Sequence, residues 1–393
     1  MVKVDFKAEA AAMRDELIRR RRDFHRYPEL AFQEVRTAGM VAEELTRLGL
    51  EVQTGVGKTG VVGILEGEQD GPTVLLRADM DALPIIEENT FPYSSTQAGV
   101  MHACGHDGHT TIALGVAKLL SQHREQIAGR VKFVFQPAEE IAAGAKAMVA
   151  DGVLRDPKPD VCVGLHLWNS LPFGQLGVAD GPIMAGSSEF ILKIQGKGGH
   201  AANPHMTIDP VVCAGQLISA FQTIASRNVD PLDSAVISVT QMAAGTAFNV
   251  IPQSAELRGT MRFFRLEVRE TMERRMNEIS QGIAAALGCT VELEIDRQLL
   301  PVINHSSVGE RLRPIFQHMV GAANLVNERT MGAEDVGLLM GDIPGMYLLL
   351  GANPGTEPYY GHHHPRFDFH EDALPVGVAL LAAAAAAYIL PEG

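Results

Sequence analysis

Apolar residues recur along this chain with two periods, and the change of period marks a change of structure. Over residues 8–24, Met13, Leu17, Ile18 and Phe24 fall at helical spacing. Over 36–48, Ala38, Val41, Leu45 and Leu48 do the same, and Gly49 suits the helix end. Three short apolar runs, Thr73–Arg77, Val131–Phe135 and Asp160–Leu165, read as buried parallel strands. Such strands are covered on both faces and lose the usual alternation. Each run ends just before polar residues: Asp79 and Asp81, Glu139 and Glu140, and His166. Ligands of open α/β sheets bind at the carboxyl ends of strands, so these side chains are expected along one sheet edge.

The middle of the chain follows another order. Glu189–Gln195 reads as a strand and Ile208–Arg227 as a helix with Val211, Val212, Leu217, Ile218, Phe221 and Ile224 as its apolar stripe. Ser234–Met242 and Ala255–Phe263 read as strands, Leu266–Leu287 as a charged helix and Thr290–Asp296 as a final strand. That β-α-β-β-α-β order is the order of a ferredoxin-like unit. The expected fold class is therefore α/β: a catalytic domain with a mostly parallel central sheet flanked by helices, formed by residues 1–184 and 298–393, interrupted by a ferredoxin-like domain over 185–297. The alanine-rich Val376–Leu390 is too short for a confident membrane span and predicts a buried terminal helix.

A length of 393 residues favours two domains over one core. The net charge of −14 speaks against a nucleic-acid partner, which calls for a basic face. The first residues place Asp5, Glu9, Asp15 and Glu16 around no apolar core, so no secretory signal is expected. The four cysteines at 104, 162, 213 and 289 form no close framework and are expected to be reduced, with the cytoplasm as the default location. A small-molecule partner fits this picture; a membrane does not.

The chemistry concentrates in Met101–His109, where a thiol, three imidazoles and a carboxylate occupy nine positions. Thiolate and imidazole bind borderline-soft divalent metals. Cys104 and His106 alone are weak signals, since a buried thiol beside a surface imidazole is commoner than a metal site. Glu139-Glu140 follows Gln136-Pro137, where the proline ends the strand. One carboxylate can bind metal while the other accepts a proton from water. The bland alternative is an acidic pair opening a helix. A lone His166 would be a satisfied core residue, and His362-His363-His364 a polar loop. Together the donors mix histidine with carboxylate as catalytic metal sites do.

At this point the chain resembles the aminoacylase, hippurate-hydrolase and auxin-conjugate-hydrolase branch of the co-catalytic metallopeptidases. The stretches that carry the resemblance are His25–Leu30, Arg77–Pro84, Met101–Thr110, Phe135–Glu140, Gly198–Pro204, Phe248–Pro252 and His363–Phe367. The resemblance implies that Cys104, His106, Glu140, His166 and His363 hold two divalent metal ions per subunit (zinc, manganese, cobalt or nickel). It implies Glu139 as the general base, with Asp81 orienting a ligating imidazole. Three consecutive histidines leave His362 as an alternative to His363. The inserted domain would act as a lid and form a homodimer or a dimer-based oligomer, bringing His200 to the partner's site with Asn249 nearby. Arg262 is the candidate for gripping a substrate carboxylate, with Arg258 its rival on the same strand face. The implied reaction is hydrolysis of an N-acyl amino acid, of acetyl or benzoyl type. The rivals are a carboxypeptidase or dipeptidase using the same metals, and a thiol hydrolase using Cys104.

Overall fold

The computed structural model describes residues 4–355 and 358–390. The chain forms two compact units. One comprises the residues up to Ile183, Val302–Arg329 and those from Asp335 onward; the other comprises Met184–Pro301 with Thr330–Glu334.

The first unit is built on an eight-stranded mixed sheet. Its centre is four parallel strands in the order Ala128–Gln136, Gln69–Asp79, Val161–Pro172 and Gly345–Asn353. Gly60–Glu66 and Glu51–Val56 continue it antiparallel on one side, and Leu176–Gly177 and Leu325–Val326 close the other. From Thr73 to Asp79 every residue is buried, as it is from Gly345 to Ala352, which explains the lack of alternation. Helix His106–Ser121 makes the crossover between Gln69–Asp79 and Ala128–Gln136, because parallel neighbours need a long connection. The terminal helix Ala373–Ile389 is buried nearly all round, as its composition predicts. It packs on the crossover helix at glycines: a Cβ on Gly115 would lie 2.6 Å from Val378, and one on Gly377 would lie 2.6 Å from Ile112.

Two expectations change here. The first predicted helix is a pair, Phe6–Ala12 and Arg14–Arg26, with a tight turn at Met13 whose N–H donates to the Ala10 carbonyl. The third parallel strand runs on to Pro172, so His166 sits within it rather than at its end. It outlasts its neighbour because pairing with Gln69–Asp79 stops at Gly164, whereas pairing with Gly345–Asn353 continues through His166 and beyond. His166 is thus still past the end of the strand on one flank.

The main layer of the second unit is four antiparallel strands in the order Thr290–Leu299, Gly181–Gln195, Ser254–Phe263 and Ala235–Ala244, with Thr330–Ala333 joining Gly181–Gln195 in parallel. This is the 4-1-3-2 arrangement of a ferredoxin-like unit. Helices Pro210–Arg227 and Leu266–Leu287 share one core with Phe190, Leu192, Ile194, Leu257, Met261 and Phe263. The buried stripe of the first helix is Pro210, Cys213, Ala214, Leu217, Phe221 and Ile224; Val211 and Val212 are exposed. Asp209 sets that phase by capping the helix, accepting from the Val211 and Val212 N–H groups at 2.8 and 3.3 Å. Among the described residues no helix is long and apolar enough to cross a membrane.

Candidate metal centre

Four segments of the first unit supply the site. Gly105, at φ 93°, turns the chain so that Cys104 precedes, and His106 opens, the helix His106–Ser121. The loop after Gln136 carries Glu139 and Glu140, the strand Val161–Pro172 carries His166, and the segment before the last helix carries His363. Their donor atoms converge. Those of Cys104, His106 and His166 lie within 4.8 Å of one another, as do those of Cys104, Glu140 and His363 and those of His106, Glu139 and Glu140.

Each imidazole is oriented by what its Nδ1 does. His106 donates from Nδ1 to the main-chain carbonyl of Asp81 at 2.9 Å, and His166 donates from Nδ1 to the Leu167 carbonyl at 2.7 Å. Both therefore direct Nε2 inward. The Nε2 of His166 lies 3.5 Å from the Cys104 sulfur. Burial, with the neighbouring histidines, keeps His166 neutral by pushing its pKa well below the usual value. His363 reaches Glu140 with its Nε2 at 3.3 Å, and its own N–H donates to the Ala103 carbonyl at 2.7 Å. His362 faces elsewhere: its Nε2 donates to the Leu167 carbonyl at 2.9 Å and its ring stacks on Trp168. The geometry brings His363, not His362, to the cluster.

The carboxylates complete the arrangement. One oxygen of Asp81 lies 3.3 Å from His106 Nδ1, and the other accepts the Glu140 N–H at 3.0 Å. Asp81 thus fixes two of the converging residues at once. Asp79 accepts from His109 Nδ1 at 2.6 Å and from Arg77 at 2.7 Å, while His109 Nε2 accepts the Leu167 N–H at 2.9 Å. His109 is consequently a strut between two parallel strands with neither nitrogen spare. Burial opposes ionisation of Asp79, but His106, Arg77 and His109 hold it well below the usual carboxylate range.

The donor set fits divalent cations. Among the described residues His106 Nε2 and Glu140 Oε1 are both buried without a hydrogen-bond partner, 3.8 Å apart. A buried unsatisfied acceptor costs about 1–3 kcal/mol, and a shared cation satisfies both. The charge balance agrees: burial works against a positive His106, yet Asp79, Asp81 and Glu140 raise its pKa to about 10, so the carboxylates hold a proton on the ring where a cation would take its place. Thiol, imidazole and carboxylate together are the donors of a catalytic divalent-metal site.

The loop bearing Glu139 and Glu140 is held unusually. Ala138 and Ala142, on either side of the pair, have φ of 51° and 54°. A left-handed residue with a Cβ costs about 1–2 kcal/mol, so outside contacts must hold it. Asp335, buried, accepts from Gln136 at 2.6 Å, from Arg77 at 3.2 Å and from the Ala145 N–H at 3.0 Å. Sequence reasoning missed Asp335, Arg77 and the linking role of His109. Only His109, three positions after His106 on one helix face, carried a readable signal.

The remaining predicted residues are in the second unit. His200 and Asn249 are exposed neighbours on the short pair Gly199–His200 and Val250–Ile251, where the Ala201 N–H donates to the Asn249 carbonyl at 3.1 Å. His200 Nδ1 accepts the Ala202 N–H at 3.1 Å, which leaves its proton on Nε2. Arg262 is half-buried and donates to Ser187 at 2.9 Å and to Thr260. Burial lowers its pKa, which Glu189 partly offsets. Arg258 is exposed and paired with Glu256 at 2.7 Å.

Comparison with known proteins gives a consistent result. The model described as peptidase family M20/M25/M40 matches residues 75–387. An N-acyl-L-amino acid amidohydrolase of Geobacillus stearothermophilus is 46% identical over 306 residues, covering 78% of this chain and 82% of the relative. An N-acetylcysteine deacetylase of Bacillus subtilis strain 168 is 42% identical over 366 residues, covering 93% and 94%. A Bacillus subtilis crystal structure described as a dinuclear metal-binding peptidase from the M20 family is 38% identical with a TM-score of 0.83, covering 95% of this chain and 98% of the other.

Proposed function

We propose, from the premise that this chain belongs to peptidase family M20/M25/M40, that it is a metal-dependent amidohydrolase acting on N-acyl amino acids of acetyl or benzoyl type. The products are a carboxylate and a free amino acid. The observation that carries this reading is the facing pair of buried polar atoms without a partner among the described residues, His106 Nε2 and Glu140 Oε1, among three further donors and beside Glu139. The names of the amidohydrolase and deacetylase relatives support the substrate class.

Cys104, His106, Glu140, His166 and His363 would hold two divalent cations; the thiolate favours zinc, and the imidazoles and carboxylate also suit manganese, cobalt or nickel. When bound, such cations supply Lewis acidity that lets water act as a nucleophile near neutral pH. Glu139 accepts the proton of the attacking water and delivers it to the leaving nitrogen, so one carboxylate serves both halves of the reaction. Its neighbour Glu140 stays a ligand because Asp81 holds its N–H. Arg262 grips the carboxylate of the amino-acid moiety, a task its planar fork suits, since its hydrogen bonds among the described residues go to Ser187, Thr260 and a main-chain carbonyl whereas Arg258 is paired with Glu256. The inserted domain serves as lid and dimer contact, and His200 of the partner subunit, with its proton on Nε2, donates to the developing oxyanion beside Asn249. Such donors supply about 2.7–4 kcal/mol each.

Replacing Glu139 with alanine tests the base. Turnover of N-acetyl and N-benzoyl amino acids should be lost while metal content by elemental analysis stays unchanged; an active variant sinks the assignment. Dipeptides in the same substrate panel separate this reading from a dipeptidase using the same site.

A further inference from the structure

We propose that Glu34 is a positioning residue for Glu139, acting through the strained peptide that precedes it; this rests on Glu139 being the base. Glu34 stands far from the ligands in sequence, at the start of helix Val35–Arg47, and is wholly buried. Its Oε1 accepts the N–H of Phe32 at 3.0 Å and the N–H of Ala138 at 2.9 Å, and its Oε2 accepts the Thr59 hydroxyl at 2.5 Å. Glu34 is absent from every cluster of side chains able to hold a metal among the described residues. Among the described residues its hydrogen bond to the site is the one from Ala138, and the Asp81 carboxylate is near enough to repel its charge.

That bond falls at a sensitive place. Ala138, at φ 51°, is fixed on its other side because its carbonyl accepts from the Ala143 and Gly144 N–H groups at 3.2 and 3.1 Å. Gly144 is pressed so closely onto the turn that a Cβ there would lie 1.5 Å from the Pro137 carbonyl oxygen. The residue after Glu139 is pinned as well, through the Glu140 N–H on Asp81. Glu139 is therefore suspended between two residues whose N–H groups each end on a buried carboxylate. Asp81 also touches His106 and so belongs to the metal cluster. Glu34 fixes the direction of Glu139 without touching a ligand. A backbone outlier held by outside contacts beside a reacting group is a way of storing geometry for catalysis.

The consequence is a fall in turnover without loss of binding. Glu34→Ala leaves the Ala138 N–H without an acceptor and lets the peptide relax to negative φ, moving Glu139. A misplacement of this size costs about 100-fold in kcat, with KM and metal affinity, measured by competition with a chromogenic chelator, near those of the parent. Glu34→Gln keeps an acceptor oxygen and should stay within about threefold, far short of the effect of misplacement. Ala138→Gly in the Glu34→Ala background should recover much of kcat, because glycine adopts positive φ without steric cost. Should Glu34→Ala fold poorly, Glu34→Asp withdraws the acceptor from Ala138 and gives the same readout. Full turnover in Glu34→Ala, or a loss that Ala138→Gly leaves untouched in folded, metal-loaded protein, overturns the proposal. Glu139→Gln in the same assay keeps the two readings apart. An active Glu139→Gln sinks the base, whereas an inactive one beside an unimpaired Glu34→Ala sinks only the positioning role.

Discussion

His25 shows how residues outside the metal cluster are tied to it. Its Nδ1 lies 2.8 Å from Asp107 and its Nε2 3.2 Å from Glu87, while Arg21, wholly buried, donates to the same Asp107 oxygen at 2.8 Å and to Asp368 at 2.8 Å. Burial and Arg21 push the His25 pKa down, but Asp107 and Glu87 more than offset them and raise it above 6.5. A raised histidine stabilises the fold fully below its unfolded pKa and loses that contribution as pH rises through the folded one. The difference in melting temperature between wild type and His25→Gln should therefore shrink as pH climbs above 6.5. Calorimetry giving a constant difference from pH 6 to 9 would remove His25 charge from the account. At this scale the sequence was readable where donors crowd, as at Cys104 and His106, and unreadable where roles depend on distant partners. Nothing near Glu34 marks it as the acceptor for Ala138, and what separates His362 from His363 is contact remote in sequence, with Leu167 and Trp168 for the one and Glu140 for the other.

Among elements, the three buried strands were legible because their apolar runs are dictated by a two-sided sheet, whereas the crossover helix His106–Ser121 was not read, since donor residues crowd its first turn. The extent of Val161–Pro172 was not, since it depends on the strand Gly345–Asn353, which is remote in sequence. Similarly, the stripe of helix Pro210–Arg227 depends on which valines its cap turns outward, and Val211 and Val212 lie outside. The pieces that carry donors are two turns, one strand and one helix start, each held in part by charges that converge on a common centre. Removing the metals should loosen these pieces first. A ligand at 100 times its Kd contributes about 2.7 kcal/mol, so chelation should raise amide hydrogen exchange in 102–109, 136–144 and 362–367. The strands of Met184–Pro301 should keep their protection. Uniform loss across both units would mean that the metals support global stability rather than these local arrangements.

At the scale of the whole molecule, the proposed lid places catalytic residues in two subunits. Mixing Glu139→Ala with His200→Ala under exchange conditions should then restore activity, since one hybrid site has both intact residues; no recovery despite proven exchange argues for sites complete within one chain. The split of the first unit also has a consequence during synthesis. The four antiparallel strands and both helices of the second unit are made by Leu299, whereas its strand Thr330–Ala333 and the strand that pairs Gly345 with Cys162 are not yet made. Domains fold as units while they emerge, so the four-stranded layer of the second unit can form before either of those pairings. Meanwhile the apolar flank of Val161–Pro172 waits on the nascent chain for the strand Gly345–Asn353 that covers it.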